Sequence, residues 1–503
     1  MDRAGWRRVA MVALVLALVF ESGLLAWQWR SAADSRARAQ QAERARADAE
    51  RRLRDLEQPG QGTPGGKTGV DDLLGELSGL LGGGGAGGGQ LGGDAAACAE
   101  ALGGAASGGG LFGGGGPQPG GDRADQVRAV AKTVEQLRGL TFKRLPTPSF
   151  LSPAELARRA GASIDDYPDA EADADTRALV ALGALPAGSD LKALQAKALS
   201  GQVAGFYDPD TGELVVGSGA ATLDPTERVT LAHELEHALA DQRLGLPAPA
   251  EQPQAGQADA NLGALGLVEG DATLTMQRYA LAKLGLTDQL SMLSKALPAQ
   301  GQLDQLPAYL GQRLTFPYLQ GMTFTCKLYA DGGWARVNQA YDHPPATSAQ
   351  VLFPDRYQAK EAAVDLRDPP ATAAPWRLAG RETFGAADLL WQFQAPGGHR
   401  DRALDRPLDR AAAWAGGELA TYADGARTGV ALALAQRRGS NDLCQSVQAW
   451  YQAAFPDSTP EATGSGEAMA RHGRTGHAVL RCPGGEARLG IAPDQPTARA
   501  LAA

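Results

Sequence analysis

The sequence predicts an α+β protein, mainly helical with a small β-hairpin or sheet, preceded by an N-terminal transmembrane helix and a Gly-rich tether. Three observations carry that expectation. The chain opens with an apolar run of about bilayer length. Glycine then dominates the stretch from Pro59 to Gly121. Beyond it, helix-start signals alternate with short β-rich runs.

Within residues 1–30, Arg3, Arg7 and Arg8 precede an apolar run from Val9 to Phe20, which resumes from Gly23 to Trp29 after Glu21 and Ser22. Together these supply about the twenty residues that cross a bilayer, and Trp27 and Trp29 suit an interfacial belt. A cleaved signal peptide is the competing reading, because the first run alone has that length and Ser31-Ala32-Ala33 offers small residues. Basic residues flank both ends, with Arg30, Arg36 and Arg38 following, so charge does not set the orientation. Residues 31–58 alternate Arg with Glu and Asp among Ala, which predicts a solvated single helix. Residues 59–121 read as a flexible tether, because glycine-rich chain cannot bury enough surface to offset its backbone entropy.

The foldable remainder divides into a domain over 122–379 and a smaller α+β lobe over 380–503. In that lobe Arg410 to Tyr422 and Asp442 to Phe455 read as helical, and His477 to Cys482 and Ala487 to Ile491 as strands. A formal charge of −9, with no basic stripe outside the N-terminal arm, argues against nucleic acid as a partner. The four cysteines are too scattered for a thiolate metal site. Cys444 and Cys482 form the favoured pair because both lie in the last segment, with buried free thiols as the alternative. Such a bridge implies an oxidising compartment and, with the tether, a single-pass membrane protein whose folded part is extracytoplasmic, or a secreted one if the leader is cleaved.

The stretch DPTERVTLAHELEHALADQRLG, from Asp224 to Gly245, carries the chemistry. Asp224 suits an N-cap, Pro225 the first helical position, Glu227 the third and Gly245 the stop. On that helix His233 and His237 stand at i and i+4, so both imidazoles reach one cation. Neutral imidazoles suit Zn2+, one catalytic ion, and Glu234 is placed to act as general base toward water. A third ligand is needed, and a downstream His is absent, since Ala240 and Arg243 occupy the Gly and His positions of the longer motif. Glu269, in LVEGDAT thirty-two residues after His237, is the candidate. It lies in a second helical stretch, Ala260 to Leu284, where Gly270 permits the two helices to approach closely. Asp271, and less directly Asp241, are candidates to orient a ligand histidine. Upstream, VAGFYDPDTGELVVGSG reads as a hairpin from Val203 to Gly217, a candidate edge for pairing with extended polypeptide substrate.

From about Val127 to Phe455 the chain resembles the bacterial and archaeal neutral zinc metallopeptidases of the gluzincin type. The resemblance is carried by QLRGLTFKRL, QVAGFYDPDTGELVV, LAHELEHALADQ, LVEGDAT and GGWARVNQAYDHPPATSAQVLFP. It implies a zincin-like metallopeptidase domain, with His233, His237 and Glu269 as zinc ligands and Glu234 as catalytic base. Members commonly read PP-x-S-T-E-Q-x-L-H-P in the last motif, where this chain has Ala349 for the acid and Phe353 for the histidine. If that histidine assists catalysis, His343, Tyr341 or Tyr207 are the substitutes at hand. The departures motivate one alternative, a zinc-fold binding or scaffold protein without turnover; a third possibility is a metal-dependent amidase acting on a cell-envelope substrate.

Overall fold

The structure is a computed structural model that describes residues 91–106 and 121–503, less short internal stretches of which 293–302 is the longest. The expected membrane segment, the charged helix and the first part of the tether lie outside the described residues. Among the described residues no helix is long and apolar enough to cross a membrane.

The tether expected over 59–121 is interrupted. Leu91–Ala106 forms helix α1, with Ala97 and Ala101 buried and Cys98 in a disulfide with Cys326. Alanine-rich sequence favours helix locally, and the covalent bond supplies the attachment that its small side chains cannot. The second disulfide joins Cys444 to Cys482, the pair that the sequence favours.

Helix α2 (Arg123–Arg138) follows, capped by the Asp122 side chain and ended by Gly139, whose φ of 74° is left-handed. Strand β1 (Ser149–Leu151) leads to helices α3 (Pro153–Asp165), α4 (Asp169–Ala181) and α5 (Leu191–Ser200). The expected hairpin is β2 (Gly205–Asp208) and β3 (Glu213–Gly217). Its turn is fixed by Asp208, whose carboxylate accepts from the Asp210 N–H at 3.0 Å. These strands form a three-stranded sheet in the order β1-β3-β2, with β1 parallel and β2 antiparallel to β3, so β2 is an edge.

Three long helices form the next layer: α6 (Pro225–Leu244), α7 (Ala258–Lys283) and α8 (Ala308–Asp342). Helix α8 bends at Gly332 and Gly333, the latter at φ 61°. A short helix α9 (Ser348–Leu352) precedes β4 (Arg377–Thr383), α10 (Ala386–Gln394), β5 (Trp414–Asp424), β6 (Arg427–Gln436) and α11 (Leu443–Ala454). Strands β7 (Thr459–Pro460), β8 (Glu467–Gly473), β9 (Gly476–Arg481) and β10 (Glu486–Ala492) complete a seven-stranded antiparallel sheet in the order β4-β5-β6-β10-β9-β8-β7.

One expectation about the C-terminal part is corrected. Arg410 to Tyr422 is not a helical run, because helix covers only Pro407–Ala411 and Trp414 starts β5. Its alanines look helical locally, but pairing with β4 and β6 on both sides overrides that weak preference. A Cβ at Gly417 would lie 2.2 Å from the Phe384 carbonyl, so the strand also needs glycine there. The expected start of the C-terminal lobe, which was to complete the catalytic unit, is residue 380. Strand β4 begins before it, and Ala349 and Phe353 share one apolar core with Leu432, Leu434, Leu480 and Leu489 of the sheet.

The crossing of α7 and α8 depends on glycine. A Cβ at Gly270 would lie 2.2 Å from the Gly321 carbonyl oxygen, and one at Gly321 equally close to that of Gly266. Gly270 therefore does permit close approach, but to α8 rather than to the histidine helix. In Gly270→Ala, the helix-propensity gain of about 1 kcal/mol is outweighed by overpacking against backbone. Thermal unfolding should register a net loss of roughly 1–2 kcal/mol, and a variant as stable as the parent would contradict this account of the crossing.

Candidate metal centre

Helix α6 starts where its residues require. The Asp224 carboxylate accepts from the Glu227 N–H at 2.9 Å, and the Glu227 carboxylate accepts from the Asp224 N–H at 2.8 Å. Pro225 takes the first turn and Gly245 closes the other end. With both ends fixed, His233 and His237 face the same way, and α7 brings Glu269 to them.

Three atoms converge. His233 Nε2 lies 3.0 Å from His237 Nε2 and 3.2 Å from Glu269 Oε2, and His237 Nε2 lies 3.4 Å from the same oxygen. Ligand bonds of about 2.0–2.2 Å in a tetrahedron set edges of about 3.3 Å between donor atoms, so the triangle fits a single small cation. Among the described residues this is the only group of three metal-binding side chains found together. The buried His-His-Glu group could therefore bind a metal ion. The His233 Nδ1 atom, turned away from the triangle, is buried without a hydrogen-bond partner.

Burial sets the electrostatics, since His233, Glu234, His237 and Glu269 are only 2–6 % exposed. Burial pulls His233 down to about 4, although the nearby Glu269 carboxylate opposes this. Burial would also lower His237, but the charges of Glu269, Glu234 and Glu236 lift it to about 9. Burial raises Glu269 less than the imidazoles lower it, leaving it at about 2. Glu234 is pushed up to about 8 by burial, against the lowering effects of His237 and a backbone hydrogen bond from Tyr207. Strand β2 thus lies against the Glu234 side chain, and a Cβ at Gly205 would stand 3.1 Å from its Cγ.

One residue at the centre escapes the sequence reading. Tyr318 of α8 is buried, its ring lies 6.3 Å from that of His233 at 30°, and its hydroxyl donates to Glu269. Burial and the neighbouring carboxylates hold its phenol well above 10, so it remains a donor. In FPYLQG it looks like one more apolar aromatic of a core helix, and nothing local marks it.

Other candidates stand elsewhere. Asp271 does not orient a ligand histidine; it accepts from Arg138 at 2.8 and 3.1 Å and from the Tyr341 hydroxyl at 2.9 Å. Residues 269 and 271 differ by about 200° around a helix, so they face opposite sides. Asp241 accepts from the Tyr207 hydroxyl at 2.6 Å, tying the hairpin to α6. Tyr341 and Tyr207 are thus engaged away from the three donor atoms, and His343 is exposed. Ala349 and Phe353 lie in the core against the large sheet, not in the cluster around the donors.

No family model, curated protein or solved structure matches the chain. The metal centre therefore stands on its geometry.

That geometry carries a proton count. At pH 7 His237, at about 9, holds a proton that an entering cation must displace, whereas His233, at about 4, holds none. Cation binding at pH 7 should release the His237 proton and up to one more from Glu234, at about 8, so affinity should rise with pH until both groups have titrated. Calorimetry of zinc binding in buffers of different ionisation heat measures the release; a count of zero would contradict it. Glu269→Ala should weaken retention by roughly a hundredfold or more, beyond the loss typical of an outer hydrogen-bond partner.

Proposed function

We propose that the chain is a zinc-dependent peptidase that hydrolyses peptide bonds, with Glu234 as general base. The observation that carries this reading is the triangle of two imidazole nitrogens and a carboxylate oxygen beside a second, buried carboxylate. Two neutral imidazoles and one carboxylate suit zinc better than harder, oxygen-seeking cations. Held there, zinc would supply Lewis acidity, acidifying water and polarising a carbonyl.

The chain's own residues supply the rest. Glu234 takes a proton from water as the water oxygen bonds to the peptide carbonyl carbon. It then returns that proton to the departing amine nitrogen when the C–N bond breaks, so an acid and an amine are the products. Without a cation the buried carboxyl stands at about 8, and a cation beside it would draw that value down, leaving a carboxylate free to accept the proton. Turned from Glu269, the Tyr318 hydroxyl would donate to the oxygen that gains charge, the role for which His343, Tyr341 and Tyr207 are misplaced. The edge strand β2 offers main-chain groups to an extended polypeptide directly beside Glu234.

This reading agrees with the resemblance to gluzincin-type neutral zinc metallopeptidases. The scaffold alternative drew on Ala349 and Phe353, and both pack into the core against the large sheet. Two disulfides favour an oxidising compartment, which supports a peptidase outside the cytoplasm, tethered if the expected N-terminal segment spans a membrane or secreted if that segment is cleaved.

Glu234→Gln should retain the metal and lose about 10²–10⁴-fold in peptide turnover. Tyr318→Phe should keep metal and lower kcat by roughly 10²–10³-fold with little change in KM. Turnover of an unfolded polypeptide by the metal-loaded protein reads both. Equal rates for the parent and Glu234→Gln would sink the assignment, and cleavage of peptidoglycan fragments alone would redirect it to an amidase.

A further inference from the structure

We infer that Arg138 is a positioning residue of the metal centre, holding the two ligand-bearing helices at the rotation that lets their donor atoms meet. The inference rests on the metal reading above. Its source is a pair of sequence motifs that the peptidase chemistry leaves idle: QLRGL at the end of α2 and GGWARVNQAY at the end of α8.

Both motifs end on one guanidinium. Arg138 is fully buried and donates to Asp271 of α7 from Nε at 3.1 Å and from Nη2 at 2.8 Å. Nη2 also donates to Asn338 at 2.7 Å, and Nε lies 3.5 Å from a carboxylate oxygen of Glu236 on α6. The Trp334 ring covers the guanidinium at 4.3 Å and donates from its own Nε1 to the Leu137 carbonyl at 2.8 Å. Tyr341 closes the group through Asp271. The bend at Gly332 and Gly333 is what turns the end of α8 toward this group.

Helix geometry gives the network its meaning. At 100° per residue, Glu236 stands about 60° to one side of His233 and Glu234 about 100° to the other. Strand β2 therefore bears on α6 from one flank and Arg138 from the other. On α7, Asp271 is about 160° from Glu269 by the shorter way round, so a grip on Asp271 sets where Glu269 points. Arg138 thereby touches the helix of each ligand and no ligand itself.

Stability alone does not account for such a device. A buried arginine with its two carboxylates is often no better for stability than apolar residues of the same volume in place of all three. What the charged version supplies is direction, because its planar donors accept few geometries.

The test compares wild type with Arg138→Met, Arg138→Lys and Tyr341→Phe, using zinc affinity by chelator competition, the visible spectrum of the cobalt(II) form, and circular dichroism for folding. Arg138→Met leaves Asp271 and Glu236 without their cation and should lose stability; its folded fraction should bind zinc roughly tenfold to a hundredfold more weakly, with an altered cobalt spectrum. Arg138→Lys should recover part of the affinity, and Tyr341→Phe should shift both readouts less in the same direction. If Arg138→Met does not fold, Tyr341→Phe decides. Parental affinity and spectrum in the folded variants overturn the role of Arg138 while leaving the metal reading intact. A wild type that retains no zinc overturns the metal reading, and this inference with it.

Discussion

Two imidazole nitrogens and a carboxylate oxygen, all within 3.4 Å of one another and almost sealed from water, repel each other unless something positive lies among them. Much of the surrounding fold resists that repulsion. The capping box and the terminal glycine hold α6 to one length, glycine contacts seat α7 on α8, and Arg138 fixes the outer faces of the ligand helices. A proton on His237 meets part of the need in the absence of metal. The same burial lifts the basicity of Glu234, so one condition serves both the binding of a cation and the movement of protons.

What could be read from the sequence was what local chemistry dictates. Asp224, Pro225, Glu227 and Gly245 mark both ends of α6 without reference to anything distant, and the spacing of His233 and His237 follows from the helix they delimit. The Asp-Pro-Asp-Thr-Gly turn likewise announces β2 and β3. Glu269 was legible because its helix is long and interrupted by glycine at a packing position. Tyr318, by contrast, is chemically set apart only by the atoms it meets across helices. The partner of Asp271 lies 133 residues away, and no local pattern announces it. Strand β5 and helix α1 were misread for a related reason: alanine and glycine say little locally, and neighbouring strands or a distant cysteine decide.

The large sheet has a different relation to the centre. It supplies none of the donor atoms, yet its core takes in Ala349 and Phe353 of the segment that follows α8. The Ser348 hydroxyl accepts from the Ala387 N–H at 3.0 Å, and the Ser348 N–H donates to Asp259 of α7 at 3.0 Å. Asp259 is pushed up to about 7 by burial, with hydrogen bonds from Ser348 opposing the rise. The ligand helix α7 is thus fastened at its start to the sheet and near Asp271 to α2 and α8.

The bond between Cys98 and Cys326 gives this arrangement a mechanical side. Cys326 sits on α8 one residue past Thr325, whose hydroxyl lies by the glycine seat of α7. A pull on α1 would enter the helices through a covalent link. It would bear on the helix against which the glutamate-bearing one is seated, rather than peel away a loosely docked end.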